Sequence, residues 1–471
     1  WMVTGGFSNM DMADKIIIPI AMGCVATFLI FWSLSGLLIK IFTSIKSVYY
    51  KGVNSFVLRQ FCSKINTTVF STTIICLMLF ITISVLSAAL SMKNSMSSDL
   101  KKMCPVDIQF TKISYEALRE AYATADKDSD DYEKATKILE DSKLSISDTL
   151  KNNGFDVNEY LKNMTEYSVY QTGLEEMDTL GSLADEIREK YPMVSFLSSV
   201  NFMKLSDYNK IATLYGNETY SLGDNEYLIV ANFKTVADIR NMALKAGTKI
   251  DINGKTYSPK YKECKDGFIE LASQHINDGI FIVPDDALTD AQVYKCGMTA
   301  DYKADSKEEK YDIENKLDDI SKNIFNQTSY LSYNSKIDLA EASVGLGALV
   351  TFIALYLGII FLISSAAILA LKELSDSADN RERYGMIRKI GVDEKMINMA
   401  LFKQIGIFFA FPLLLAIIHS VFGIKFINLI LQTMGMSSML ASVGITFIFL
   451  VVIYGGYFII TYLCSKSIIR P

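Results

Sequence analysis

Histidine is nearly absent from this sequence: His275 and His419 are the only two in 471 residues. No CxxC or HExxH spacing accompanies them, so no metal site is expected. A GxxxxGK[ST] run is missing too, which removes the backbone cradle and lysine that hold nucleotide phosphates. No cofactor-binding residue is therefore expected, and if ATP is used another polypeptide binds it. No nucleophile stands in a recognisable pattern with a base, so the chain offers no catalytic residue. Paired carboxylates are abundant (Asp128, Asp130, Asp131; Glu175, Glu176; Asp285, Asp286). None has EF-hand spacing, and they read as solvated acidic faces. Seven cysteines cannot all pair. For Cys264 and Cys296 two readings stand, a disulfide or two partly buried free thiols. No basic n-region precedes the first apolar run, so no signal peptide is expected. Internal repeats and low-complexity tracts are also lacking.

Charge is present but unevenly placed. Asn94 to Asp338 holds roughly 29 Lys and Arg against 43 Asp and Glu, and the rest of the chain roughly 17 against 9. An acidic soluble insertion is thus set into a basic membrane part, the opposite of a nucleic-acid footprint. Five apolar runs are long enough to cross a bilayer: Ile16–Leu38, Val69–Met92, Ala342–Leu371, Gln404–Ile424 and Met436–Cys464. The fold class expected is an α-helical membrane protein of five transmembrane helices with a large mixed α/β extracytoplasmic domain. The segments are 1–66 (first span and basic loop), 67–92 (span), 93–339 (extracytoplasmic domain), 340–371 (span), 372–403 (cytoplasmic loop) and 404–471 (two closing spans). An odd number of spans fits the C-terminal part of a longer protein.

Orientation follows from two loops. Lys40, Lys46, Lys51, Arg59 and Lys64 lie between the first two spans with no acidic residue among them, which places that loop inside. Within it Ser55–Lys64 reads either as an amphipathic helix on the inner surface or as a plain basic connector. The second loop, Lys372–Lys395, is the one strongly charged segment enclosed by two apolar runs.

The insertion reads as alternating helices and strands. Helices are predicted at Tyr115–Ala125, Asp131–Asn152, Asp207–Tyr215 (capped by Ser206, stopped by Gly216), Thr235–Lys245 (closed by Gly247) and Lys307–Phe325. Strands are predicted at Thr165–Gln171, Met193–Phe202, Glu226–Phe233 and Gly279–Pro284. Asn253-Gly254 supplies the positive φ angles of a type I′ hairpin.

Few ionisable residues interrupt the spans, which argues against an ion-coupled carrier. His419 reads as an interhelical hydrogen-bonding residue rather than a proton relay. Gly345, Gly347, Ala348, Gly455 and Gly456 suit close helix packing in lipid or a hinge. In the second loop, Tyr384, Ile387 and Ile390 recur at three-residue spacing, giving a short helix whose apolar stripe needs a partner surface. Glu382, Asp393 and Glu394 interleave with the basic residues and favour a protein over lipid.

Span, large insertion, span, RERYGMIRKIGVDEKMI and two closing spans together resemble the FtsX-like permease family, the membrane subunits of type VII ABC transporters. The arrangement looks most like BceB-like permeases of antimicrobial-peptide resistance. That resemblance implies a coupling helix docking on a dimeric ATPase subunit, which carries the ATP and Mg. The residues that would take this role are Arg381, Glu382, Arg383, Tyr384, Gly385, Ile387, Arg388, Lys389 and Gly391. It further implies a multi-pass protein of the bacterial cell membrane, its large domain outside, meeting membrane lipid, a peptide or lipid-linked ligand and a sensor histidine kinase, with no nucleic acid. The residues themselves leave two other readings open: a membrane-anchored ligand-binding or sensor protein without transport, and an anchored extracellular enzyme.

Overall fold

The computed structural model describes residues 17–44, 52–121, 136, 138–191, 198–323, 330–433 and 440–470. The chain divides into two compact units, a sheet unit built mainly from residues 95–345 and a helical unit from most of the rest.

The helical unit contains α1 (Ile18–Ser44), most of α2 (Asn54–Met103), and from the C-terminal part of the chain most of α6 (Lys336–Asp379), α7 (Arg381–Lys389), most of α8 (Glu394–Thr433) and α9 (Leu440–Ile468). Among the described residues four helices are long and apolar enough to cross a membrane: Thr68–Met103, Lys336–Asp379, Glu394–Asn428 and Ser442–Ile468. Within α1 the stretch Ile18–Ser33 is likewise apolar. Such segments become helices because a backbone in lipid must bond to itself. Their hydroxyls do likewise: Thr73 donates to the Val69 carbonyl at 2.7 Å and Thr82 to that of Met78 at 2.8 Å. The core joins Ile75 and Leu79 of α2, Leu362 and Leu369 of α6, Leu401, Ile405 and Phe409 of α8, and Leu450 and Tyr454 of α9. Pro412 interrupts the bonding ladder of α8. One turn earlier the Phe409 carbonyl accepts the Tyr454 hydroxyl at 2.9 Å.

Of the glycines expected to pack closely, Gly347 alone has a neighbour, Lys93 at 3.8 Å, and the tightest approach falls on another glycine. A Cβ at Gly455, Gly456 or Gly345 would meet open space, whereas one at Gly423 would lie 2.6 Å from the Phe80 ring and 2.9 Å from Ser84 Oγ. His419 meets the Phe80 ring edge-on, with centroids 6.1 Å apart.

The sheet unit is organised on nine strands: β1 (Ile108–Ile113), β2 (Leu161–Gln171), β3 (Phe202–Lys204), β4 (Glu226–Val230), β5 (Ile250–Ile252), β6 (Lys255–Pro259), β7 (Ile280–Val283), β8 (Gln292–Tyr302) and β9 (Leu331–Ser335). Their spatial order is β5-β6-β4-β7-β3-β2-β8-β1-β9. The pairs β3–β7 and β4–β6 are parallel and the remaining pairs antiparallel. Both faces are covered. On β7, Ile280 and Ile282 enter one cluster with Tyr208 and Ile211 of α3 (Leu205–Tyr215), while Phe281 and Val283 enter another with Phe202, Tyr227 and Ile250. A strand buried on both sides reads as an unbroken apolar run, as this one does. At the other end of the sheet Ile108, Phe110, Met298 and Leu331 pack under Leu317 of α5 (Lys307–Asn323). Tyr167 of β2 lies flat on Gly297 of β8; a Cβ there would fall 2.0 Å from the Tyr167 ring.

Local signals hold where glycine sets the turn. Gly216 ends α3 at φ 71°, Gly247 follows α4 (Lys234–Lys245) at φ 72°, and Asn253 and Gly254 turn the hairpin at φ 50° and 81°. Ser206 does not cap α3. The helix begins one residue earlier, and the Ser206 amide donates to Asp285 Oδ1 at 3.1 Å. The helix expected over Asp131–Asn152 is interrupted before Ile146, because Ser145 caps a new helix there by accepting from the Asp148 amide at 3.0 Å. Cys264 and Cys296 are free thiols. The start of that first helix, residues 193–197 of the strand expected at Met193–Phe202, and the side chains of residues 58–64 in the expected amphipathic stretch lie outside the described residues.

One buried acid makes the unit pH-dependent. Glu314 of α5 is 4% exposed and accepts the Tyr302 hydroxyl at 2.5 Å. Burial pushes its carboxyl up to about 7, with Asp338 and Asp318 nearby adding to the rise. The folded state then holds a proton that the unfolded chain has lost, so stability falls as pH rises from the ordinary glutamate range through 7. Glu314→Gln is expected to stabilise the protein at pH 8 by about 1–3 kcal/mol and to change little near pH 4. Thermal unfolding at both pH values measures this, and equal effects at the two would refute it.

Candidate functional site

The loop between the third and fourth apolar runs is helix for most of its length. α6 continues to Asp379, only Asn380 separates it from α7, and the Tyr384 amide bonds the Asn380 carbonyl at 3.0 Å. α7 ends in a Schellman motif. Gly391 at φ 90° donates to the Arg388 carbonyl at 2.9 Å, and Val392 to that of Ile387 at 3.2 Å. Val392 and Ile387 both pack against the helical core, the apolar contact that accompanies this cap. Arg388 forms a two-pronged pair with Glu394, its Nη2 lying 3.4 Å from Glu394 Oε2, which clasps α7 to the first turn of α8.

The apolar residues of α7 divide between two faces. Tyr384 is fully buried: its hydroxyl donates to Gln404 Oε1 of α8 at 3.0 Å, and its ring meets Phe56 of α2 edge-on at 5.3 Å. Burial, with the Glu373 carboxylate nearby, raises its phenol. Ile387 packs inward beside it. Ile390, the third member of the expected stripe, points away and is 78% exposed. Each step of three residues turns a helix by about 60° short of a full circle, so two steps carry Ile390 off the buried face. The outward line is instead Glu382, Met386 and Ile390, at i, i+4 spacing; Met386 is 58% exposed. Arg381, Arg383, Lys389 and Gly391 are exposed around it, and Gly385 is half-buried.

Eight of the nine residues singled out from sequence divide into two groups, with Gly385 half-buried between them. Tyr384, Ile387 and Arg388 fix the helix to its own unit. Arg381, Glu382, Arg383, Lys389 and Gly391 face outward. Met386, Gln404 and Phe56 were missed, and Glu394, expected to face a protein partner, instead pairs with Arg388 inside the unit. The i+4 spacing from Glu382 through Met386 to Ile390 carried the signal for Met386, while partners on other helices left none in the local sequence. The outer face is a methionine and an isoleucine ringed by charges of both signs.

No protein-family model matches this chain. It is 31% identical over 93 residues to the ABC transporter permease protein YxdM of Bacillus subtilis (strain 168), covering 20% of this chain and 15% of that protein. It is 34% identical over 92 residues to the bacitracin export permease protein BceB of the same organism, covering 19% and 14%. A BceB protein of Halalkalibacterium halodurans is 28% identical over 105 residues, covering 22% and 16%. The matched part is about a sixth of the length of these relatives. Together these similarities support a BceB-like permease family.

Proposed function

We propose, from the similarity to BceB-like ABC transporter permeases, that the chain is part of an FtsX-like permease subunit working by mechanical transmission. α1 serves as a fifth span, the sheet unit lies outside the cell, and α7 faces the cytoplasm. ATP and Mg bind in a partner ATPase dimer, whose closure is passed to the helices through α7. The relatives named for bacitracin export support a peptide or lipid-linked ligand, with a sensor histidine kinase as a further partner. One observation carries the reading: the Glu382–Met386–Ile390 line stands exposed on a helix whose opposite face is pinned by Tyr384, Ile387 and Arg388. A firmly held helix offering two large apolar side chains amid charge is built to receive force from a docked protein.

Met386→Glu with Ile390→Glu is expected to reduce co-purification of the ATPase encoded beside this chain at least tenfold while leaving the melting temperature unchanged, since both side chains already face solvent. Normal ATPase binding by the double variant would refute the docking role. It would favour a membrane-anchored sensor that captures ligand without transport.

A further inference from the structure

Along its apolar length α6 has two unlike faces. Gly347, Thr351, Ala354 and Gly358 are buried on one of them, where a Cβ on Gly347 would lie 3.8 Å from Lys93 and one on Gly358 3.4 Å from Thr82, both on α2. The opposite face carries Leu349, Phe352, Tyr356, Ile360 and Ile363, all exposed. Lipid suits the four hydrocarbon side chains as they stand. Tyr356 is different, because its ring ends in a hydroxyl.

Depth makes that hydroxyl informative. Glu341 and Lys372 bound the uncharged part of α6, and Tyr356 stands 15 residues from one and 16 from the other. Each end is therefore about 22–24 Å away along the axis, beyond the roughly 15 Å half-thickness of the hydrocarbon core. A phenol is too short to bring its oxygen to either headgroup region. The side chain is 59% exposed, and its hydroxyl has no partner among the described residues. Leaving a hydroxyl unbonded in hydrocarbon is costly, and tyrosine is ordinarily enriched at the interfaces instead.

Other tyrosines of the same unit show how the need is met. Tyr384 gives its hydroxyl to Gln404 Oε1, and Tyr454 gives its own to the Phe409 carbonyl one turn before Pro412, each reaching an acceptor on a neighbouring helix. The neighbour that Tyr356 requires has a definite shape. Phe352 lies beside it, the two rings 10° from parallel with centres 6.3 Å apart, so together they form a flat plate. A second copy of this face would crowd four rings into one place. A helix with small residues there can instead approach until its backbone carbonyls come within reach of the hydroxyl.

We propose that the Phe352–Tyr356 plate docks a further membrane-spanning helix of a partner, with small residues against the rings and a carbonyl or side-chain amide oxygen accepting from Tyr356. The assignment rests on α6 crossing the membrane and is independent of the docking role of α7.

Photocrosslinking from p-benzoylphenylalanine at position 352, in native membranes with every subunit present, tests it. Adducts are identified by mass spectrometry, and a mixture of isotope-labelled and unlabelled copies reveals self-contact. The expected adduct joins position 352 to an apolar membrane-spanning peptide of the partner that contains small residues. Tyr356→Phe, which keeps the plate, should lower its yield about threefold, the scale of one interhelical hydrogen bond in a membrane. The same label at Leu357, about 100° round the helix from Tyr356, should give mainly lipid adducts. Lipid adducts alone at 352, an adduct to a second copy, equal yields at 352 and 357, or an undiminished yield in Tyr356→Phe would each overturn the proposal. ATPase co-purification is read separately, so failure of either idea is visible alone.

Discussion

Arg240→Met is expected to destabilise the sheet unit by about 3–5 kcal/mol, because it strands a buried carboxylate. The Arg240 side chain is 2% exposed and its Nη2 lies 2.8 Å from Glu176 Oε1. Its Nε donates to the Asp278 carbonyl at 2.6 Å, and its guanidinium stands over the Phe281 ring, 5.5 Å from the centre. Three separate pieces of chain are thereby tied to α4: the helical turn beginning at Glu176, the loop at Asp278 and strand β7. Room for the guanidinium depends on Gly279, where φ is 133° and a Cβ would fall 2.6 Å from Arg240 Nε. Burial already raises the Glu176 carboxyl against the pull of Arg240. Without the arginine, ionised Glu176 has lost its ion-pair partner, so the loss should be larger at pH 8 than at pH 5, where a proton can replace the guanidinium. Glu176→Met added to Arg240→Met should recover most of the stability, since a well-packed apolar pair often equals a buried ion pair. Thermal unfolding of the four proteins of this cycle decides the matter. A double variant no more stable than Arg240→Met would mean that the pair does not act as a unit.

Tyr384→Ala is the second large effect, with an expected cost of about 3–5 kcal/mol to the helical unit. The ring fills a fully buried position between Phe56 and Gln404, and its removal also leaves Gln404 without its donor. Tyr384→Phe keeps the ring and loses only the hydroxyl, at about 1 kcal/mol. If α7 transmits force, ATPase stimulation should collapse in the alanine variant and survive largely intact in the phenylalanine variant, although the side chain faces away from the proposed partner. Equal loss of stimulation in both would show that the hydroxyl itself is needed, against a role in positioning the helix.

How much of this was legible depended on whether one local signal decided the outcome. Long uncharged runs announce helices in lipid, and Gly216, Gly247 and Asn253-Gly254 each mark a turn that other residues reach only at a cost. Strands β1, β8 and β9 escaped detection for the opposite reason. β1 alternates only over Ile108–Thr111 before Lys112 takes an inward position on the face of Ile108 and Phe110, and Gln109 on the other face is buried too. Gln109 is satisfied only by distant groups, the Tyr167 hydroxyl and the backbone of Ile269 and Leu271. β8 contains Gly297, which reads as a breaker until Tyr167 is seen resting on it. In the candidate site the segment itself was evident from charge. The direction of each side chain was not, because a three-residue spacing spirals around the helix instead of keeping to one face.

The order of strands in the sheet has a consequence for biosynthesis. β1 emerges from the ribosome early, yet its neighbours on both sides, β8 and β9, are among the last segments of the unit to be made. Until then Ile108 and Phe110 lie on a strand with two unsatisfied edges, a template for pairing with the wrong chain. Closure of the sheet must wait for contacts between residues far apart in sequence, which are slow to form. The nascent chain thus passes through a vulnerable interval, ending only when residues 292–335 arrive, and holdase chaperones or slow translation over that stretch should govern its yield.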